Sequence, residues 1–184
     1  MSLLKLAVHS ADHHLGNVNA AITLVEYGDF QCTHCKKAYP LVKRLLKEKH
    51  NELHFVFRHF PFRKFHPHAY EAAVAAESAG KQGKFWEMHD LIFENQELLN
   101  AKYLLSLAET INLDLVQFRK DSKSKEVADK IEMDFKSGIR SGVKRTPSFY
   151  FNDNLLLTYN EKYESLLDAF LNESEKLFPK SHFL

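Results

Sequence analysis

The sequence predicts an α/β fold in which a βαβ unit and a later ββα unit flank an inserted all-helical subdomain. Three observations carry this prediction. Two apolar runs rich in β-branched and aromatic residues, Ile22 to Tyr27 and Leu53 to Phe60, bracket a segment of helical periodicity. From His66 to about Arg140 the pattern is helical almost throughout. Strand character then returns at Ser148 to Phe151, ahead of a final amphipathic stretch. With 184 residues, 45% of them apolar, the chain has enough material for one core, so a single domain over 1–184 with an insertion fits best.

The elements follow in chain order. Ile22-Thr-Leu-Val-Glu-Tyr27 ends at Gly28-Asp29 and reads as a buried strand followed by a turn. Beyond it Ala38, Leu41, Val42, Leu45 and Leu46 form one helix face, with Lys43, Arg44 and Lys47 on the other. Pro40 inside this helix removes a backbone hydrogen bond. Leu53 to Phe60 is a second strand closed by Pro61, and strand–helix–strand implies a parallel pair. In the helical block Ala69, Ala72, Ala73, Ala76 and Ala79 make a small-residue face, and Val127, Ile131, Phe135 and Ile139 recur every fourth residue. Asn112 to Asp114 and Ser122 to Ser124 mark breaks, with Asp114 a candidate cap. Ser148 to Phe151, Asn152-Asp-Asn154 and Leu155 to Thr158 read as a β-hairpin. The last helix presents Tyr163, Leu166, Leu167, Phe170 and Leu171 and fades at Pro179.

Charge and hydropathy exclude whole classes of function. Lys and Arg total 25 against 24 for Asp and Glu, which leaves no basic excess for a phosphate backbone. The longest apolar stretches, such as Phe55 to Phe57 and Leu155 to Leu157, fall far short of the roughly 20 residues a membrane helix needs. Ser2 to Val8 is too short for the apolar region of a secretory leader. As written the chain reads as cytoplasmic; if a leader has been removed, it is periplasmic or extracytoplasmic.

The chemistry centres on Cys32-Thr33-His34-Cys35, the chain's two cysteines. Two thiols at the start of a helix can close a short disulfide, and the first sulfur then faces unpaired backbone N–H groups at the positive end of the helix dipole. A protonated or hydrogen-bonding His34 adds to this, and the lowered thiol pKa makes Cys32 both ionised and a good leaving group. Cys32, at an exposed tip, is expected to form the mixed disulfide and the more buried Cys35 to resolve it. Glu26 falls inside an otherwise apolar strand: buried, it would have a raised pKa and could relay a proton to Cys35, and turned outward by strand alternation it would be an ordinary surface acid. Both readings stand open on the residues alone. A zinc site joining the cysteines to His34, His66 or His68 lacks a second ligand pair of suitable spacing, so no metal is expected, and no cofactor. Of the 11 histidines, His13, His14, His50 and His182 are expected in solvent, and His54, His59 and His89 packed or hydrogen-bonded.

Glu-Tyr-Gly-Asp-Phe-Gln-Cys32-x-x-Cys35, Phe57-Arg-His-Phe-Pro61, His66-Pro67-His68-Ala69, Gln82-Gly-Lys-Phe-Trp-Glu-Met-His-Asp90 and Thr146-Pro147 together resemble the DsbA-like family of thiol-disulfide oxidoreductases. The likeness runs from about Asn19 to Phe178. It implies a thioredoxin-like fold with its core at 19–61 and 141–178 and a helical insertion at 62–140. It also implies that Cys32 is the nucleophile, Cys35 the resolving cysteine, His34 the intervening histidine of strongly oxidising members and Glu26 the buried acid. Thr146-Pro147 then matches the cis-proline loop, whose backbone edge binds an extended substrate chain. Thr33 stands where such members often have proline, and Arg145 where small residues are common, which leaves redox poise and substrate preference open.

The resemblance implies an enzyme that exchanges disulfides with protein thiols, most simply as a dithiol oxidase working with a separate redox partner. A thioredoxin-like reductase or isomerase would use the same residues. A chaperone-like binding module of the same fold would make the cysteines incidental, and a glutathione transferase would not require Cys35.

Overall fold

Alternation in the two apolar runs builds the centre of the molecule. The computed structural model describes residues 2–179. Strand β1 (His13–Gly16) is followed by β2 (Ile22–Gly28), helix α1 (Thr33–Glu48) and β3 (Leu53–His59). Helices α2 (Ala69–Gly80), α3 (Phe85–Glu94), α4 (Ala101–Thr110), α5 (Leu115–Asp121) and α6 (Lys125–Ser141) come next, with a 3₁₀ turn at Gln96–Leu98. Strands β4 (Ser148–Phe151) and β5 (Asn154–Leu155) and helix α7 (Tyr163–Leu177) follow. The sheet order is β1-β3-β2-β4-β5, with β2 and β3 parallel and the other neighbours antiparallel.

Because successive strand residues point to opposite faces, the sheet carries two apolar layers. Leu24, Phe55, Phe57, Phe149 and Phe151 join Val42 and Leu45 of α1, Ala72 and Ala76 of α2, Met88 and Ile92 of α3, and Leu166 and Phe170 of α7 in one buried cluster. The helical block thus shares its core with the sheet. Val25, Tyr27, Val56 and Tyr150 form the other layer with Phe60, Val143 and Phe135. Here α6 lies close: a Cβ on Gly138 would sit 2.5 Å from the Phe60 ring. Gly142 ends α6 in the left-handed region at φ 88°, where a glycine costs nothing sterically.

A buried polar network ties the N-terminal segment to this second layer. Arg58, fully buried, donates to both oxygens of Asp12 at 2.8 and 3.0 Å, to the carbonyls of Leu6 and Ala7, and to the Tyr27 hydroxyl. Burial works against ionisation of Asp12, but the Arg58 guanidinium prevails and holds its carboxyl below the usual range.

Several expectations hold and several are corrected. The breaks at Asn112 to Asp114 and Ser122 to Ser124 separate α4, α5 and α6, and Asp114 caps α5 through the N–H groups of Val116 and Gln117. Strand β1 escapes sequence reading because a four-residue polar edge has no alternation to detect. Consequently His13 and His14 are not solvent residues: His13 bonds Glu77 and stacks on Phe85, and His14 lies against His54. His50 is exposed, His54, His59 and His89 are buried, and His182 lies outside the described residues. The hairpin's second strand is shorter than expected. Asn152 and Asp153 alone form its turn, at φ 42° and 70°, and after a last bond from the Leu156 N–H to the Phe149 carbonyl the chain leaves the sheet toward Tyr159, which packs edge-on against Phe149. Ile139 is 55% exposed rather than core. A strict four-residue step advances about 40° per repeat on a helix of 3.6 residues per turn, so the last member of that series has rotated off the buried face.

Candidate active site

The site forms where β2 ends and α1 begins. Asp29 sets the connecting loop: its carboxylate accepts from the N–H groups of Gln31 and Phe62, each at 2.8 Å, and from His66 Nδ1 at 2.7 Å. Phe30 is anchored among Phe57, Phe93 and His89. Gln96 donates to the carbonyls of Phe30 and Cys32 at 2.8 and 2.9 Å. Cys32 therefore arrives as the N-cap of α1 with little freedom.

Both cysteines are free thiols. Cys32 is 5% exposed and Cys35 fully buried, so the nucleophile candidate is itself buried and not at an exposed tip. The expected order of access survives. Cys32 Sγ is 3.3 Å from the Thr146 carbonyl, and Cys35 Sγ accepts the Asp29 N–H at 3.4 Å. The Thr146–Pro147 peptide bond is cis.

The surroundings split the two thiols. Cys32 is lowered to about 5 chiefly by the hydrogen bond from Cys35, helped against burial by Thr146 and by the backbone N–H groups of Cys35 and His34 at the helix start. The buried Thr146 hydroxyl itself has no hydrogen-bond partner. Cys35 is pushed well above its ordinary value by burial, by its bond to Cys32 and by the neighbouring charges of Cys32 and Glu26. Glu26 is 3% exposed, with Phe57 and Phe149 as its partners on the flanking strands. Burial in this apolar setting, then the Cys32 charge, raises it to about 8. The buried alternative for Glu26 is the observed one.

His34 departs from expectation. Its exposed ring bonds Glu161, which also takes Lys37 at 2.8 Å, and it is the backbone N–H of His34 that acts on Cys32. His66 and His68 bond Asp29 and Glu71, so none of the three turns toward the thiols as a zinc ligand. A groove of about 320 Å³ runs beside the pair, lined by His34, Arg145, Thr146, Pro147, Tyr159 and Glu161. No sequence pattern singles out Tyr159, Glu161 or Gln96 as site residues. They reach the site across 64 to 127 positions.

A dithiol at a helix N-terminus, on a mixed sheet flanked by helices, with a cis X–Pro peptide beside it, defines the class: a thioredoxin-fold protein with a CxxC site. A family model described as thioredoxin matches residues 9–171, and the chain belongs to that family. Its fold is shared with the thiol-disulfide exchange protein alpha-DsbA2 of Wolbachia pipientis, at 21% identity over 89% of this chain and 87% of that one, with a TM-score of 0.76. A thioredoxin-like oxidoreductase from Silicibacter pomeroyi matches at 26% identity over 91% and 94% of the two chains, with a TM-score of 0.75. The DsbA-like resemblance of the motifs thus extends to the architecture. Among curated relatives, a Na(+)/H(+) antiporter NhaA 1 of Salinispora arenicola is 44% identical over 141 residues, covering 77% of this chain and 22% of the antiporter. The chain spans about a fifth of that protein's length, and among the described residues no helix is long and apolar enough to cross a membrane.

Proposed function

We propose that this protein is a thiol-disulfide oxidoreductase that oxidises protein dithiols through Cys32 and Cys35. The observation that carries the reading is the Cys32 thiol lowered to about 5 beside a Cys35 thiol that stays protonated. A thiolate stabilised in the reduced protein favours reduction of the disulfide, which makes the disulfide an oxidant. At pH 7 a thiol at 5 rather than 9 stabilises the reduced form about 100-fold, or about 60 mV in potential at roughly 30 mV per tenfold.

In the oxidised protein a substrate thiolate attacks Cys32 Sγ, the Cys32–Cys35 bond breaks, and the leaving Cys35 sulfur takes a proton. A second substrate thiolate then attacks the substrate sulfur of the mixed disulfide, forming the product disulfide and releasing Cys32 as its stable anion. Two electrons now reside on the cysteines and pass to a separate partner disulfide or other two-electron acceptor. Glu26 is the group placed to trade the Cys35 proton. When a partner disulfide reoxidises the pair, Cys32 is tied up in a mixed disulfide with it and its charge is gone, so Glu26 ionises more readily at the stage when Cys35 must lose its proton to attack Cys32 and release the reduced partner. Thr146 offers a backbone edge to an extended substrate chain, and His34, Arg145 and Glu161 supply charge along the groove.

The test is the Cys32–Cys35 reduction potential equilibrated against glutathione. The reading expects a value well above thioredoxin's, toward about −120 to −200 mV; a value near about −270 mV assigns the protein to reduction instead.

A further inference from the structure

Away from the thiols, three side chains from three elements converge. His13 on the edge strand β1, His59 at the end of β3 and Glu77 on α2 meet so that both histidine Nε2 atoms lie 2.8 Å from the same Glu77 Oε1. The three candidate ligand atoms all lie within 4.8 Å of one another. The proposed disulfide exchange uses none of them.

We propose that His13, His59 and Glu77 form a binding site for a divalent transition-metal ion of the zinc class. Two imidazoles and one carboxylate supply borderline nitrogen donors and a single anion, the ligand set that suits zinc, cobalt or nickel rather than calcium or magnesium, which favour all-oxygen shells. Ligand atoms about 2.0 to 2.2 Å from a tetrahedral ion stand roughly 3.3 to 3.6 Å apart, so each imidazole nitrogen, now 2.8 Å from the carboxylate oxygen, has to move off it by roughly half an ångström, and the two nitrogens already stand within 4.8 Å of each other.

The ligands are held rather than loose. His59 is buried against Phe30 and Phe57, and His13 stacks on Phe85. An entry path exists: a surface cavity of about 310 Å³, lined by Ala11, Glu77, Lys81, Lys130 and Met133, opens onto the carboxylate. The two lysines there are already paired, Lys130 with Asp134 and Asp12, Lys81 with Glu126 and Asp121, so they leave little uncompensated positive charge to repel a cation. A fourth position is left for water from this cavity. An ion there would join the edge strand to the central sheet and to α2, a cross-link between segments up to 64 positions apart.

The test uses the full chain with Cys32 and Cys35 oxidised to the disulfide, so that no thiolate competes, and titrates Zn²⁺ by calorimetry and Co²⁺ by visible absorption. The proposal expects one equivalent bound, with imidazole–carboxylate Co²⁺ spectra and a rise in Tm. Glu77→Gln and His13→Ala each weaken binding by at least about tenfold, a loss that even second-shell changes cause at metal sites. His14→Ala and His50→Ala leave it unchanged. Because His13 sits on a half-exposed edge strand, its variant keeps the test decisive if Glu77→Gln fails to fold. Absence of binding by the parent protein, or equal binding by the His13→Ala variant, overturns the proposal and leaves the cluster a hydrogen-bonded staple.

Discussion

Residue by residue, the site is governed by where each ionisable group sits. Two cysteines three positions apart acquire opposite shifts because one receives hydrogen bonds at the helix start and the other is sealed beneath it. Glu26 is the third member. Its folded pKa of about 8 lies above the ordinary 4.5, so its contribution to stability is fully present below pH 4.5 and is lost as pH rises through 8. Glu26→Gln removes that loss. In urea denaturation the reduced variant gains on the order of 4 kcal/mol over the parent near pH 8 and nothing below pH 4.5, while its mixed disulfides resolve more slowly. A variant no more stable than the parent at pH 8 contradicts the burial of an unpaired carboxyl. Cys32 and Cys35 stood out because the motif is local, whereas the burial of Glu26 and the cis bond at Thr146-Pro147 were expected only through the family resemblance, since a strand position and a dipeptide leave both alternatives open. Glu161 did not stand out, since its partner His34 lies 127 positions away.

At the level of elements, the parts read best were those with a strong period. Strands β2 and β3, helix α1 and the capped break before α5 follow from alternation, one apolar face and Asp114. Short or polar elements followed no such rule. Strand β1 exists because β3 offers it an edge and Glu77 and Phe85 hold His13, and β5 stops after two residues because Tyr159 is drawn to Phe149. The packing of α6 on the sheet depends on one absent side chain. Gly138→Ala places a methyl 2.5 Å from Phe60 and 3.1 Å from Tyr27. Overpacking of this kind costs about 1 to 3 kcal/mol despite alanine's better helix propensity. Chemical denaturation of the variant reads that loss, and a stabilised protein would show that α6 has room to shift.

For the whole molecule, a charged pair in the interior joins the N-terminal segment to the sheet. Asp12 and Arg58 are both buried, so removing one partner leaves the other uncompensated. Asp12→Ala is expected to cost about 3 to 5 kcal/mol at pH 7. The depressed Asp12 pKa means that its stabilisation is present above the ordinary carboxylate value and lost as pH falls through the folded one, so the gap between parent and variant closes in acid. A gap that persists in acid would assign the loss to packing alone. The sequence placed neither partner of this pair. Arg58 falls within an apolar strand and Asp12 in a polar segment with no period to read, and only the closed fold puts them 2.8 Å apart.

All of the proposed chemistry depends on the charge state of one sulfur, which can be observed directly. The rate of Cys32 alkylation in the reduced protein, followed against pH together with thiolate absorbance, is predicted to be half-maximal near pH 5. A midpoint near the ordinary thiol value of about 8.5 would contradict the account.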